Sequence, residues 1–136
     1  MKKSKKIIGF HSGHDCSYCI FKNGIPVTHN ELERFSRKKE HLGDALEFLF
    51  QSNDEWEDVK YFSQVIDNWK GGFIKRYPDT AKRMFDIAKN NKGNFYYFGH
   101  HQTHAANAFY SSNFDEALII TIDAGGWDFK EHNPRS

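Results

Sequence analysis

Asn23-Gly24 stands between two short runs rich in aliphatic, aromatic and β-branched residues, 17–22 and 25–33. Both residues of that dipeptide accept positive φ, which a two-residue type I′ turn requires, and the twist of that turn matches the strands it joins. The start of the chain is therefore committed to an antiparallel hairpin. Residues 6–10 predict a further strand, ending in His11-Ser12-Gly13-His14-Asp15. Beyond the hairpin the period changes. Leu42, Ala45, Leu46, Leu49 and Phe50 recur at helical spacing over 42–51, closed by Asn53-Asp54-Glu55. A strand is expected over 59–66, then a loop over 68–77 carrying Gly71-Gly72. Asp79 or Thr80 is placed to cap a helix running through Lys89, with Ala81, Met84, Phe85 and Ala88 on one face. Asn90-Asn91-Lys92-Gly93 stops it. A strand over 94–98, a helix over 101–110 and a near-continuous apolar strand over 117–123 complete the order. The pattern is β-β-β-α-β-α-β-α-β, and the fold class is α/β: a mixed sheet flanked by helices.

The chain's 136 residues suffice for one ordinary domain. Its apolar fraction of 38% and mean hydropathy of -0.77 are low for a self-sufficient core, which 13 Phe and 6 Tyr partly offset. A formal net charge of +1 argues against a nucleic-acid binder driven by bulk electrostatics. The basic run Lys2-Lys3-Ser4-Lys5-Lys6 reads as a solvated terminus. Ile7-Ile8-Gly9-Phe10 is too short for a signal-peptide core, and no apolar run approaches bilayer length, so no membrane role is expected and the expected compartment is the cytoplasm. Cys16 and Cys19 have C-x-x-C spacing, but no second pair exists to complete a zinc site, and both read as small buried thiols.

The stretch with most chemistry is Gly99-His100-His101-Gln102-Thr103-His104, at a strand-to-helix junction. Residues four apart share a helix face, so His100 and His104 can converge on one cation. Asp123 ends the last expected strand, where a buried carboxylate is costly without a cation. Two imidazoles and a carboxylate suit Fe(II), Zn or a related divalent metal.

The element order is similar to that of the ribonuclease H-like, actin-type ATPase half-domain. Residues 1–116 would form such a half, and residues 117–136 would be the first strand and turn of a second half, implying a chain cut short. Four segments resemble the O-carbamoyltransferases of the nodulation-factor and antibiotic-tailoring type. They are Ile8-Gly9-Phe10 with His14-Asp15-Cys16-Ser17; Glu33-Arg34-Phe35-Ser36-Arg37-Lys38-Lys39; His100 through Tyr110; and Phe114-Asp115-Glu116-Ala117 leading to Asp123. The third is the most specific, and the tRNA threonylcarbamoyl transferases share its H-x-x-x-H core.

The resemblance implies transfer of a carbamoyl group to a substrate hydroxyl. The donor would be carbamoyl adenylate, made from ATP and carbamoyl phosphate by a smaller adenylate-forming domain. It implies a metal, iron in similar proteins with Zn or Mn as alternatives, held by His100, His104 and Asp123, with a further Asp from the second half. The acceptor hydroxyl must lose a proton, work that suits an imidazole. His14 beside Asp15 matches the family's His-Asp pair and takes that role. Arg37, Lys38 and Lys39 are candidates to meet phosphate or carboxylate oxygens, and Gly125 and Gly126 to let backbone approach a phosphate. Ala124 stands where the family usually has Gly, Tyr18 and Cys19 where small residues are usual, and Leu32 where an acidic residue is frequent. The partners implied are a small hydroxyl acceptor, and the second half-domain and adenylate-forming domain in cis or in trans. The alternative is a non-catalytic fragment, or a half-domain that binds nucleotide or a partner without turnover.

Overall fold

A computed structural model of the chain describes residues 5–52, 56–67, 69–126 and 128. The expected helix stop at 53–55 and part of the N-terminal basic run lie outside the described residues. Strands β1 (Lys6–His11), β2 (Ser17–Lys22) and β3 (Ile25–Glu31) open the fold. The β2–β3 turn forms as the sequence dictates: Asn23 has φ 54 and Gly24 φ 84, and the Asn23 side-chain oxygen accepts the Lys5 backbone N–H at 3.1 Å. Strands β4 (Val59–Val65) and β5 (Asn94–Phe98) add on the other side of β1, giving the order β3-β2-β1-β4-β5 in one five-stranded sheet. β1 pairs antiparallel with β2 and parallel with β4; β4 pairs parallel with β5. The sheet is mixed, as expected.

Helices α1 (Leu32–Ser36), α2 (Ala45–Ser52), α3 (Gly72–Arg76), α4 (Pro78–Asn90) and α5 (His100–Tyr110) connect them, with one 3₁₀ turn at Trp69–Gly71. Several boundaries differ from the sequence expectation. The third strand stops at Glu31, because Leu32–Ser36 turns into a short helix closed by Arg37 in the left-handed region, φ 60. The expected loop over 68–77 is largely helical, since Phe73 is fully buried and draws its segment onto the sheet. Helix α4 begins at Pro78 with no side-chain cap from Asp79 or Thr80; proline at the first helical position supplies a preset φ and lacks the N–H that would go unpaired. The expected strand over 117–123 is absent. That segment joins no ladder, and Leu118, Ile120 and Ile122 are 89%, 73% and 92% exposed, so an apolar β-pattern alone did not make a strand without a partner backbone to pair with.

One core lies between the sheet and helices α2, α3 and α4. Ile8 and Phe10 of β1, Tyr18 of β2, and Val59 and Phe62 of β4 meet Leu46 and Leu49 of α2, Phe73 of α3 and Met84 of α4. The step from Val59 to Phe62 breaks the two-residue alternation, and the β1–β4 register shifts at the same place, between Lys6 and Ile7. Helices cover one face of the sheet. On the other, Ile7, Tyr96 and Phe98 remain partly exposed, and α5 buries none of its residues.

Both cysteines are free thiols, Cys16 buried and Cys19 partly so. Burial pushes the Cys16 thiol from 9.0 up to about 12, with the nearby Asp44 carboxylate adding to the effect. The folded thiol therefore holds its proton where the unfolded one loses it. Its contribution to stability is complete below pH 9 and is lost as the pH rises from there toward 12. Iodoacetamide at pH 8 is expected to leave Cys16 unmodified in the native protein and to label it fully in urea; peptide mass spectrometry showing rapid native labelling would refute the buried placement.

Contacts from Ser12, Arg76 and Gly13 fix the loop after β1. Ser12 Oγ donates to Asp44 Oδ1 at 3.0 Å and accepts the Ala45 N–H at 3.0 Å, so it ties β1 to the first turn of α2. The Arg76 guanidinium donates to the Ser12 carbonyl at 2.5 Å and pairs with Asp67 at 2.6 Å, joining the ends of β1 and β4. Gly13 and Gly43 form an isolated antiparallel bridge. These ties hold His11 and His14 at the same end of the sheet as the start of α5.

Candidate metal centre

Only Gly99 separates β5 from α5, so the strand end delivers His100 directly into the first helical turn. Gly99 has no side chain to cap the helix. Asp128 does that work: its Oδ1 accepts the His101 backbone N–H at 3.0 Å, and its other oxygen contacts His101 Nδ1. A negative charge at a helix N-terminus also opposes the positive end of the helix dipole. The hydrogen bonds from His101 hold the Asp128 carboxyl below its ordinary range. A Cβ on Gly99 would lie 2.6 Å from Asp128 Oδ1, so glycine here makes room for the cap.

One turn later stands His104, and the extended segment 117–126 returns across the helix start with Asp123. The three expected ligands meet. His104 Nε2 lies 3.1 Å from His100 Nε2 and 3.1 Å from Asp123 Oδ2, and His100 Nε2 contacts the same oxygen. All three ligand atoms lie within 4.8 Å of one another. Donors bound about 2.0–2.1 Å from a tetrahedral ion sit roughly 3.3 Å apart, so this spacing fits one divalent cation with modest expansion. The donor chemistry fits as well, with two borderline nitrogens and one hard oxygen.

Hydrogen bonding from His100, and then from the Ala124 backbone N–H, holds the Asp123 carboxyl down at about 2. The carboxyl group is therefore anionic at any physiological pH. The Ala124 N–H to Asp123 Oδ1 distance is 2.6 Å. Ala124 is not among the residues at positive φ, and neither are Gly125 and Gly126, so alanine at this position brings no backbone strain. Gly126 has another task. A Cβ there would fall 2.1 Å from the His100 ring, so only a glycine lets the segment close over the imidazole.

A cavity of about 790 Å³ opens beside the triad. His100, Asp123, Gly125 and Gly126 line it together with His11, Gly13, His14, Leu42, Val65 at the end of β4, and Ile66 and Asp67 just after it. The expected His14 thus shares a cavity with the triad. Its Nδ1 lies 2.6 Å from Asp15 Oδ2, which orients the ring and leaves Nε2 available. Asp15 acts on His14 and does not itself line the cavity. Arg37, Lys38 and Lys39 do not line it either; they follow α1, with Lys38 N–H donating to Ser36 Oγ at 3.3 Å and Lys39 near Glu40.

Three contributors were not legible in the sequence. Asp128 looked like one polar residue in a polar tail; its role depends on a loop closing onto α5. His11 looked like part of a turn, yet burial pushes its pKa below 6.5 and its Nδ1 is buried without a hydrogen-bond partner, so a neutral imidazole faces this cavity. Asp67 falls between the expected strand and the expected loop and carries no motif, yet it lines the cavity and anchors Arg76.

No protein-family model and no solved structure matches the chain. It is similar to an uncharacterized protein of Methanocaldococcus jannaschii, 29% identical over 123 residues, which is 88% of this chain and 22% of that protein. The chain thus spans under a quarter of the length of the curated relative it matches. Among the described residues, no helix is long and apolar enough to cross a membrane.

Proposed function

We propose that the chain forms the metal-holding N-terminal part of an O-carbamoyltransferase, on a ribonuclease H-like, actin-type half-domain. The observation that carries the reading is the convergence of His100, His104 and Asp123 on one point at the wall of a cavity that His14 also lines. The sheet order β3-β2-β1-β4-β5, with one antiparallel flank and one parallel flank, supports the half-domain assignment. The greater length of the archaeal relative supports a protein with further parts, in which residues 117–136 would enter a second half. The adenylate-forming domain, in cis or in trans, would then supply the donor from ATP and carbamoyl phosphate.

In this reading His100, His104 and Asp123 would hold Fe(II), with Zn or Mn as alternatives, and a divalent cation bound there would supply Lewis-acid stabilisation of negative charge on the donor. His14 takes the proton of the acceptor hydroxyl. The acceptor oxygen then bonds to the carbamoyl carbon, the bond from that carbon to the bridging phosphate oxygen breaks, and AMP leaves with the electron pair. Asp15 fixes the ring of His14 through the contact at Nδ1. His11, uncharged, offers a hydrogen bond without competing for the proton.

A second reading has its own support. α5 buries no residue and the apolar side chains of Leu118, Ile120 and Ile122 face solvent, as in a half-domain that binds a partner or a nucleotide without turnover of its own. The Fe(II)-loaded chain should be tested against a hydrolysis-resistant sulfamoyl analogue of carbamoyl adenylate, and for label transfer from carbamoyl adenylate to hydroxyl acceptors. Binding with transfer supports the enzyme. Binding without transfer supports the half-domain. Absence of both removes the carbamoyl reading.

A further inference from the structure

Segment 117–126 carries Asp123 to the metal centre, yet little else holds it there. Among the described residues it makes no backbone–backbone hydrogen bond and joins no ladder. Leu118, Ile120 and Ile122 turn outward and bury little. Ordering a segment costs conformational entropy at every residue, and neither pairing nor burial offsets it here. Among the described residues, its polar ties to the rest of the chain run to the start of α5. Asp123 contacts His100 and His104, and Asp128, just beyond the segment, contacts His101 through both carboxylate oxygens. Between them Gly126 lies so close over the His100 ring that a Cβ would fall 2.1 Å from it. Two acids thus grip one helical turn from either side of that glycine. Without a cation these are part-exposed acid–imidazole contacts, a class worth little in water. Drawn onto one divalent ion, the same ligand atoms would be tied far more firmly, because metal-binding energy becomes folding energy for the elements it joins. What depends on this grip is a wall: Asp123, Gly125 and Gly126 all line the cavity.

We propose that segment 117–126 is a metal-closed strap and that Asp128 is its positioning residue. His100, His104 and Asp123 bring the strap down when they share a divalent cation. Asp128 fixes the far end by capping α5, so that Asp123 arrives with Oδ2 toward both imidazoles. Closing the strap completes the cavity. The pocket beside the triad is therefore a binding site in the metal-loaded protein and an open groove without metal. Metal binds before any organic ligand of that cavity, and by linkage such a ligand tightens the hold on the metal. The inference rests on the triad as a cation site and is independent of which group is transferred.

The test compares backbone order parameters of the full chain, from NMR relaxation, metal-free and saturated with Zn(II), with stoichiometry and affinity measured separately by calorimetric titration. Amides of the strap are expected below about 0.6 without metal and at about 0.85 with it, while those of α4 stay unchanged. Asp128→Ala should weaken Zn(II) binding about tenfold and lower the strap's order parameters in the loaded protein. Asp128→Asn, which keeps an oxygen for the His101 N–H, should restore most of both. Asp86→Ala, which removes the pair with Lys82 on α4, should change neither. Stoichiometric Zn(II) with equal strap order parameters in the two states would overturn the strap and leave the ligand assignment standing. Failure to bind Zn(II) would overturn both, and wild-type affinity in Asp128→Ala would remove Asp128 from its role.

Discussion

Replacing His104 with Ala is expected to abolish stoichiometric binding of Fe(II) or Zn(II) while leaving the fold intact. His104 is 52% exposed and belongs to no core cluster, so its loss should change folding stability by no more than about 0.5 kcal/mol. Its Nε2 is nevertheless one corner of the triad, 3.1 Å from each of the other two contacts. A bidentate remainder of His100 and Asp123 should bind at least a hundredfold more weakly, since even loss of an outer partner of a ligand typically costs about 10–100-fold. Two variants sharpen the test. His101→Ala removes the tie to Asp128 but no ligand, and should weaken binding less than His104→Ala. Gly126→Ala keeps every ligand but places a Cβ where the His100 ring stands, and should lower affinity by displacing that ring. Elemental analysis after dialysis decides the matter. Equal metal content in wild type and His104→Ala would end the ligand assignment.

The largest effect on stability is expected from Phe62→Ala. Phe62 is fully buried in β4, which pairs with β1 on one side and β5 on the other. Truncation there removes an aromatic ring from the middle of the core and leaves a cavity that two fixed strand neighbours cannot collapse. The expected loss is about 3–5 kcal/mol, a large part of the roughly 5–15 kcal/mol by which a domain of this size is held. Phe62→Leu, nearer in volume, should cost less than about 1.5 kcal/mol. Phe114→Ala, at a residue 69% exposed, should cost no more than about 0.5 kcal/mol. Urea unfolding gives all three values. If Phe62→Ala and Phe114→Ala unfolded at the same midpoint, the core described above would be misplaced.

The elements that were legible share one property: their signal is local. Asn23-Gly24 has only one good way to join two β-patterned runs, and β2 and β5 begin and end where composition placed them. Helix α4 was visible because Ala81, Met84 and Ala88 are all buried on one stripe. What failed was decided at a distance. Phe73 is drawn onto Phe10, with ring centroids 5.0 Å apart, and that contact makes a helix of a glycine-rich stretch. The segment 117–123 has a strand's composition, but a strand is a pairing, and its edges meet no ladder.

The same division runs through the site. That His100 and His104 can share a ligand follows from helical periodicity, which the sequence carries by itself. The hairpin, the mixed sheet and the pairing of His14 with Asp15 were likewise determined there. Only the tertiary structure decided which groups surround them. It brought Asp123 back from 19 residues beyond His104, set Asp128 on the start of α5, turned His11 and Asp67 into cavity walls, and left Arg37, Lys38 and Lys39 outside. Periodicity is fixed by bond geometry within a few residues. Which distant segments then meet depends on the sum of burial, closure and pairing over the whole chain, and no single motif contains that sum.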